Sequence, residues 1–172
     1  MNISIYNAVS IDGFIATKEN KTNWVSDLDW EVFKSKVKVA KVIVMGSNTF
    51  RSSGDDFPYD CELNIVLTHN KDLISKNKNR SGVWFTDLEP VSLVKELGAK
   101  GYDNLLIIGG GHVNASFMKA ELVNNVVIDI HPILLGEGVS LFAGDPFEKK
   151  LELIEYKRQN GGLMLLTYKV FK

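Results

Sequence analysis

Short runs rich in valine, isoleucine and leucine recur along the chain, at 3–9, 41–45, 63–67, 83–85, 104–108 and 126–131. Two longer segments, 151–159 and 163–171, follow. Several of the short runs (VIVM, NIVL, LLII, VVIDI) are nearly continuous rather than alternating, which predicts central strands covered on both faces. Between them the apolar period changes. Leu28, Val32, Phe33 and Val37 recur at helical spacing and predict a helix over 27–39. Pro90 opens a second predicted helix, 90–100, which stops at Gly101. A third, 112–120, follows a glycine triplet. The stretch 71–80, dense in lysine and asparagine, reads as a solvated surface segment.

Strands alternating with helices predict an α/β fold: a mostly parallel central sheet of about eight strands with helices on both faces. The last two strands read as an antiparallel hairpin turning at Asn160-Gly161-Gly162. A single domain over 1–172 is expected. In such sheets ligands bind outside the carboxyl ends of the strands, so chemistry is to be sought in the turns that leave them.

The chain has 172 residues, 45% apolar and 24% charged, which is the size and make-up of one globular domain. A formal net charge of −1 offers no general attraction to nucleic acid or to an anionic membrane, so any bound phosphate must be held locally. The single cysteine, Cys61, excludes an internal disulfide framework and fits a reducing compartment. The N-terminal MNISIYNAVSIDGF lacks a basic segment followed by a long apolar run, and no window is apolar enough to span a bilayer. A cytoplasmic protein without membrane or nucleic-acid partners is expected. His69, His112 and His131 show no metal-ligand spacing, and no metal is expected.

Three segments carry candidate chemistry. Met45-Gly46-Ser47-Asn48-Thr49 leaves a buried strand through glycine, where free backbone N–H groups and two hydroxyls can meet an anion. Alone it reads rather as a glycine turn with Ser47 or Asn48 as an N-cap. Ile108-Gly109-Gly110-Gly111-His112-Val113 leaves another strand through three glycines, more than a tight turn requires, and suggests a dinucleotide pyrophosphate against the backbone. Asp29 and Phe33, four apart, share a helix face. A carboxyl group on an inward apolar face gains proton affinity and can hydrogen-bond an amino-substituted heterocycle, although Asp27, Asp29 and Glu31 also suit a first helical turn for dipole reasons.

Taken in order, these segments resemble the dihydrofolate reductase superfamily over nearly the whole chain. Its members include dihydrofolate reductase and the reductase domain of riboflavin biosynthesis. Residues Asn7-Ala8-Val9-Ser10-Ile11-Asp12-Gly13-Phe14-Ile15-Ala16 are similar to the family's opening strand and loop, where Ala8 and Ile15 would frame the nicotinamide carboxamide. Val44-Met45-Gly46-Ser47-Asn48-Thr49 is similar to its MGxxT turn under the cofactor phosphates. Leu67-Thr68-His69 matches the position near the adenosine 2′-phosphate, and Ile108 to Val113 match the second phosphate turn. The resemblance implies NADPH as cofactor, held by Ala8, Ile15, Gly46, Ser47, Asn48, Thr49, Thr68, His69, Gly109, Gly110, Gly111, His112 and Val113. Ser47 stands where an arginine often reads the 2′-phosphate, which leaves that task to His69 and Lys71.

The resemblance leaves two branches open. Trp24, Asp29 and Phe33 match the substrate helix of dihydrofolate reductase, whose acid protonates or anchors the pterin, but Asp60-Cys61-Glu62-Leu63-Asn64 has no arginine for a glutamate tail. The riboflavin branch is similar at Asn23-Trp24-Val25-Ser26, Asp55-Asp56-Phe57-Pro58 and Pro132-Ile133-Leu134-Leu135-Gly136-Glu137-Gly138. It normally carries an arginine after Asp-Asp-Pro and an acid before the glycine pair; both are missing, and Ile108 occupies the latter place. The implied function is hydride transfer from NADPH to a pyrimidine or pteridine-like substrate, as a riboflavin-biosynthesis reductase, with dihydrofolate reductase as the alternative. A non-catalytic nucleotide-binding module is a third reading. Asp29 is the expected catalytic acid, with Asp27 as its rival. Trp24, Ser26, Asp29 and Phe33 are the expected substrate contacts. A homodimer is open, through a hairpin in which Leu163, Leu165 and Tyr168 alternate.

Overall fold

Strand β1 (Asn2–Ser10) owes its position to what flanks it: a parallel strand on each side, both rich in buried aliphatic residues. The computed structural model describes every residue except 145 and 172. In chain order the elements after β1 are β2 (Phe14–Ala16), α1 (Asp27–Ala40), β3 (Val42–Gly46), α2 (Ser47–Ser52), β4 (Leu63–Leu67), α3 (Lys71–Lys76) and β5 (Val83–Thr86). There follow α4 (Pro90–Ala99), β6 (Asn104–Ile107), α5 (Gly111–Lys119), β7 (Asn125–His131), β8 (Val139–Ser140), β9 (Leu151–Arg158) and β10 (Met164–Val170). One eight-stranded sheet has the order β5-β4-β3-β6-β1-β7-β10-β9. Its first six strands pair in parallel, while β10 runs antiparallel to both β7 and β9. The short strands β2 and β8 form a separate antiparallel pair.

The continuous apolar runs are explained by two cores, one on each side of the sheet. Along β3, Val42 and Val44 join one cluster and Ile43 and Met45 the other. The first cluster takes in Leu93 and Leu97 of α4 and Phe117 and Met118 of α5; the second takes in Phe33 and Val37 of α1. The α/β architecture expected from the sequence is therefore the one observed, with its antiparallel end and helices on both faces.

Three local features differ from expectation. Residues 71–76 are helical rather than merely solvated: Asn70 caps α3 by accepting from the Leu73 N–H at 3.0 Å, and Leu73 and Ile74 pack against the second core. The short α2, β2 and β8 lie below the length at which periodicity is readable. In the hairpin, which turns at Asn160–Gly162 as expected, Leu165 packs into the second core and Tyr168 against the first, so they face opposite sides. Strand β9 is one of the two edges of the sheet and is exposed at every position. No helix among the described residues is long and apolar enough to cross a membrane.

Candidate active site

The carboxyl ends of β1, β3 and β6 open onto one cleft of 540 Å³, within the range of small-molecule sites. Its walls come from three sources. The β3–α2 turn contributes Gly46, Ser47, Asn48 and Thr49; the start of α5 contributes Gly110, Gly111, His112 and Val113; and α1 with its lead-in contributes Ser26, Asp27, Asp29, Trp30 and Phe33. Ala8 and Ile15 also line it.

The two glycine turns are joined to each other: the Gly46 N–H donates to the Gly109 carbonyl at 2.9 Å. Neither α2 nor α5 has a side-chain cap, and the first N–H groups of a helix have no partner within it. Space and conformation account for the glycines. Gly109 has φ +100°, a region side chains disfavour, and a Cβ on it would sit 3.1 Å from Asn7 Nδ2. A Cβ on Gly111 would lie 2.3 Å from the Ser140 carbonyl oxygen. This wall is bare backbone, with the Thr49 hydroxyl beside it, and suits a linked pair of phosphates. Behind it, Asn7 Nδ2 donates to the Ile108 carbonyl at 3.3 Å, and Asn7 Oδ1 accepts from Asn114 Nδ2 at 2.9 Å. These bonds tie β1, β6 and α5 together.

At the opposite wall the two rival acids of α1 separate. Asp27 is exposed, whereas Asp29 is only 3% exposed. The Ser26 hydroxyl caps α1 by accepting from the Asp29 N–H at 3.2 Å, and the Ser26 N–H donates to His131 Nε2 at 3.2 Å. Tyr6 Oη donates to Asp29 Oδ1 at 2.6 Å. Burial raises the Asp29 pKa most; the Tyr6 hydrogen bond lowers it, and the neighbouring Asp129 raises it again, leaving it at about 7. Burial, reinforced by the Asp29 charge, pushes the Tyr6 phenol above its usual range, so it remains a donor. Phe33 stacks on Trp30 at 5.1 Å and meets Tyr59 edge-on, a surface matched to a flat ring.

Five expected residues do not line the cleft. Trp24 packs edge-on against His131 at 5.2 Å. Gly109 lies behind the wall. Thr68 is held between β4 and β5, its hydroxyl accepting from the Asn70 N–H at 3.2 Å, and His69 is exposed beyond it. Lys71 pairs with Asp87, so its ammonium is already matched by a carboxylate. No group of histidine, cysteine or acidic side chains among the described residues could hold a metal.

A model of the RibD C-terminal domain family matches residues 2–165. The chain belongs to that family. The RibD C-terminal domain family is a reductase family within the dihydrofolate reductase-like superfamily. Among its relatives, the uncharacterised Bacillus subtilis protein YwjB is 25% identical over 170 residues, covering 95% of each chain. The crystal structure of a candidate riboflavin biosynthesis protein from Shewanella sp. PV-4 superposes with a TM-score of 0.82 at 28% identity, over 100% of both chains. A Thermotoga maritima diaminohydroxyphosphoribosylaminopyrimidine deaminase/5-amino-6-(5-phosphoribosylamino)uracil reductase shares the fold, with a TM-score of 0.77 at 15% identity; the match covers 99% of this chain and 56% of that one.

On this RibD-type scaffold, several residues at or beneath the cleft escape a reading of the sequence. Tyr6 and Asn7 sit inside an otherwise ordinary strand pattern, and nothing local marks them. Asp129 did leave a signal: a carboxylate inside the apolar run VVIDI is costly unless something answers it.

Proposed function

We propose that this chain is an NADPH-dependent reductase acting on a pyrimidine or pteridine-like heterocycle, in the manner of the riboflavin-biosynthesis reductases. The observation that carries it is one cleft with a bare backbone wall of helix N-termini on one side and a buried, readily protonated carboxyl on the other. The cofactor would supply the hydride. Gly46, Ser47, Asn48 and Thr49, with Gly110, Gly111, His112 and Val113, would hold its phosphates, and Ala8 and Ile15 would flank the nicotinamide. Phe33 and Trp30 offer a flat apolar face to the substrate ring, and Asp29 holds a proton where it can be delivered to the ring nitrogen or oxygen. The substrate-side groups thereby orient the two reactants at near contact, which lowers the barrier by several kcal/mol.

Two side chains offer positive charge to an anionic group on the substrate. Lys21 and Arg51 border a recess that shares Asn20, Thr22, Asn48 and Ser52 with the main cleft. Preference for NADPH over NADH would fall to His69 and to Lys71, the latter paired with Asp87. The test is absorbance at the nicotinamide band with NADPH or NADH and either the ribosylaminopyrimidine phosphate or dihydrofolate. Oxidation with the first substrate alone is expected. Tight NADPH binding without turnover of either would favour a non-catalytic nucleotide-binding module.

A cytoplasmic setting belongs to this proposal, supported by the lone thiol of Cys61, which burial pushes up to about 11 and keeps unreactive. A second copy of the chain is the proposed partner at β9. An antiparallel two-fold pairing of that edge would set Glu152 opposite Lys157 and Leu153 opposite Tyr156, matching charge with charge and apolar with apolar.

A further inference from the structure

Beneath the floor of the cleft a second carboxyl lies on the same face of the sheet as Tyr6, the hydrogen-bond partner of Asp29, and its charge raises the Asp29 pKa. It belongs to Asp129, which β7 carries in register with Ala8 of β1 and Leu165 of β10, at 0% exposure. Asp129 Oδ2 accepts from Gln159 Nε2 at 2.9 Å. Asp129 Oδ1 is buried without a partner, an uncommon state for a carboxylate oxygen, which desolvation penalises.

The surrounding groups do not neutralise two negative charges. From β1 comes the Tyr6 hydroxyl, spent on Asp29. From β7 comes His131, whose Nε2 accepts from the Ser26 N–H, so its proton sits on Nδ1 and points to the Asp129 carbonyl at 3.1 Å. Both ring nitrogens are thereby taken up, and neither meets a carboxyl. From α1, the Lys36 ammonium lies over the Tyr6 ring, 5.6 Å from its centroid; burial lowers its pKa and Glu155 of β9 partly restores it. After β9, Gln159 brings an uncharged amide. Two adjoining buried carboxyls with no cation in direct contact cannot both ionise cheaply.

We infer that Asp29 and Asp129 share one proton, with Asp129 as a positioning residue that, together with burial, holds the proton on the cleft-facing carboxyl until the pH approaches neutrality. A proton carried by this pair gives the buried, unpartnered Oδ1 of Asp129 a reason to be tolerated. In the reaction proposed above, on which this role depends, reducing a C=N or C=O bond takes one hydride and one proton. A bound NADPH would supply the hydride and would itself be oxidised to NADP⁺. The proton leaves Asp29 for the substrate nitrogen or oxygen, and the pair passes from one negative charge to two. Repulsion between the two carboxylates then draws a proton back from water in the cleft, which resets the site.

The test uses the folded chain without cofactor or substrate, labelled with ¹³C at aspartate carboxyl carbons, and follows the Asp29 resonance with pH. It is assigned by its loss in Asp29→Asn. The wild type is expected to keep Asp29 protonated at about pH 6. In Asp129→Asn, an isostere that still accepts from Gln159, the Asp29 midpoint falls by more than one pH unit. If that variant turns over substrate, the alkaline limb of its kcat profile moves to lower pH by the same interval, with KM unchanged. An unmoved Asp29 midpoint in a folded Asp129→Asn overturns the inference. Should that variant not fold, wild-type spectra decide: both carboxyl carbons at the ionised shift at about pH 6 overturn it equally. Because the spectra need no substrate, failure of every reductase assay would sink the proposed activity and leave proton sharing standing.

Discussion

Asp29 shows how one residue takes its chemistry from what surrounds it. In the sequence it is one of three acids in a helical first turn; in the fold it alone of them is buried, against Tyr6 and beside Asp129. Asp29→Asn keeps the shape and the Tyr6 hydrogen bond but has no acidic proton. Turnover should drop roughly 100- to 10,000-fold while NADPH affinity, read by fluorescence quenching, stays within about two-fold. Wild-type kcat should decline as pH rises through about 7, where Asp29 loses its proton. Stability carries the same signature. With the folded pKa raised above that of an exposed aspartate, the folded chain holds a proton that the unfolded chain releases between about pH 4 and 7. Stability is therefore greatest at the acid end of that window and falls as pH rises through it. Urea titrations at several pH values should show this slope in the wild type and lose it in Asp29→Asn.

At the scale of elements, the decisive unit is a strand that ends in glycine and feeds a helix, used twice and cross-bonded from Gly46 to Gly109. Such turns are legible in sequence because they need glycine where chains approach closely. What they approach is not legible: the Ser140 carbonyl that excludes a side chain at Gly111 comes from β8, a two-residue strand some thirty positions on. Gly111→Ala must push that carbonyl away, at a cost of about 1–3 kcal/mol in denaturant titration. Because the displaced backbone is the cleft wall, NADPH affinity should fall with it in calorimetry. Wild-type stability together with wild-type affinity would show that the contact yields freely.

For the whole molecule, the sheet is covered by helices except at its antiparallel end. There Leu151, Leu153, Ile154 and Tyr156 of β9 are exposed at 41%, 48%, 54% and 69%. An edge that presents such apolar side chains to solvent invites another strand. If a second copy occupies it, Leu153→Lys should turn a dimer into a monomer in sedimentation velocity, leaving turnover per chain intact because the cleft lies several strands away. A wild type that sediments as a monomer at every concentration would remove the proposed partner.

The sequence by itself determined the architecture and the two glycine turns, because continuous apolar runs, helical spacing and glycine clusters are local properties written in consecutive residues. It also singled out Asp29 and Phe33, whose shared face follows from helical geometry alone. Tertiary structure decided what those residues do. It buried Asp29 and left Asp27 in water, turned Trp24 onto His131 and away from the cleft, and matched Lys71 with Asp87. It also set Asp129, a hundred residues along the chain, beside Asp29. Burial and the meeting of two charges depend on which strands lie next to one another, and no local pattern encodes that order.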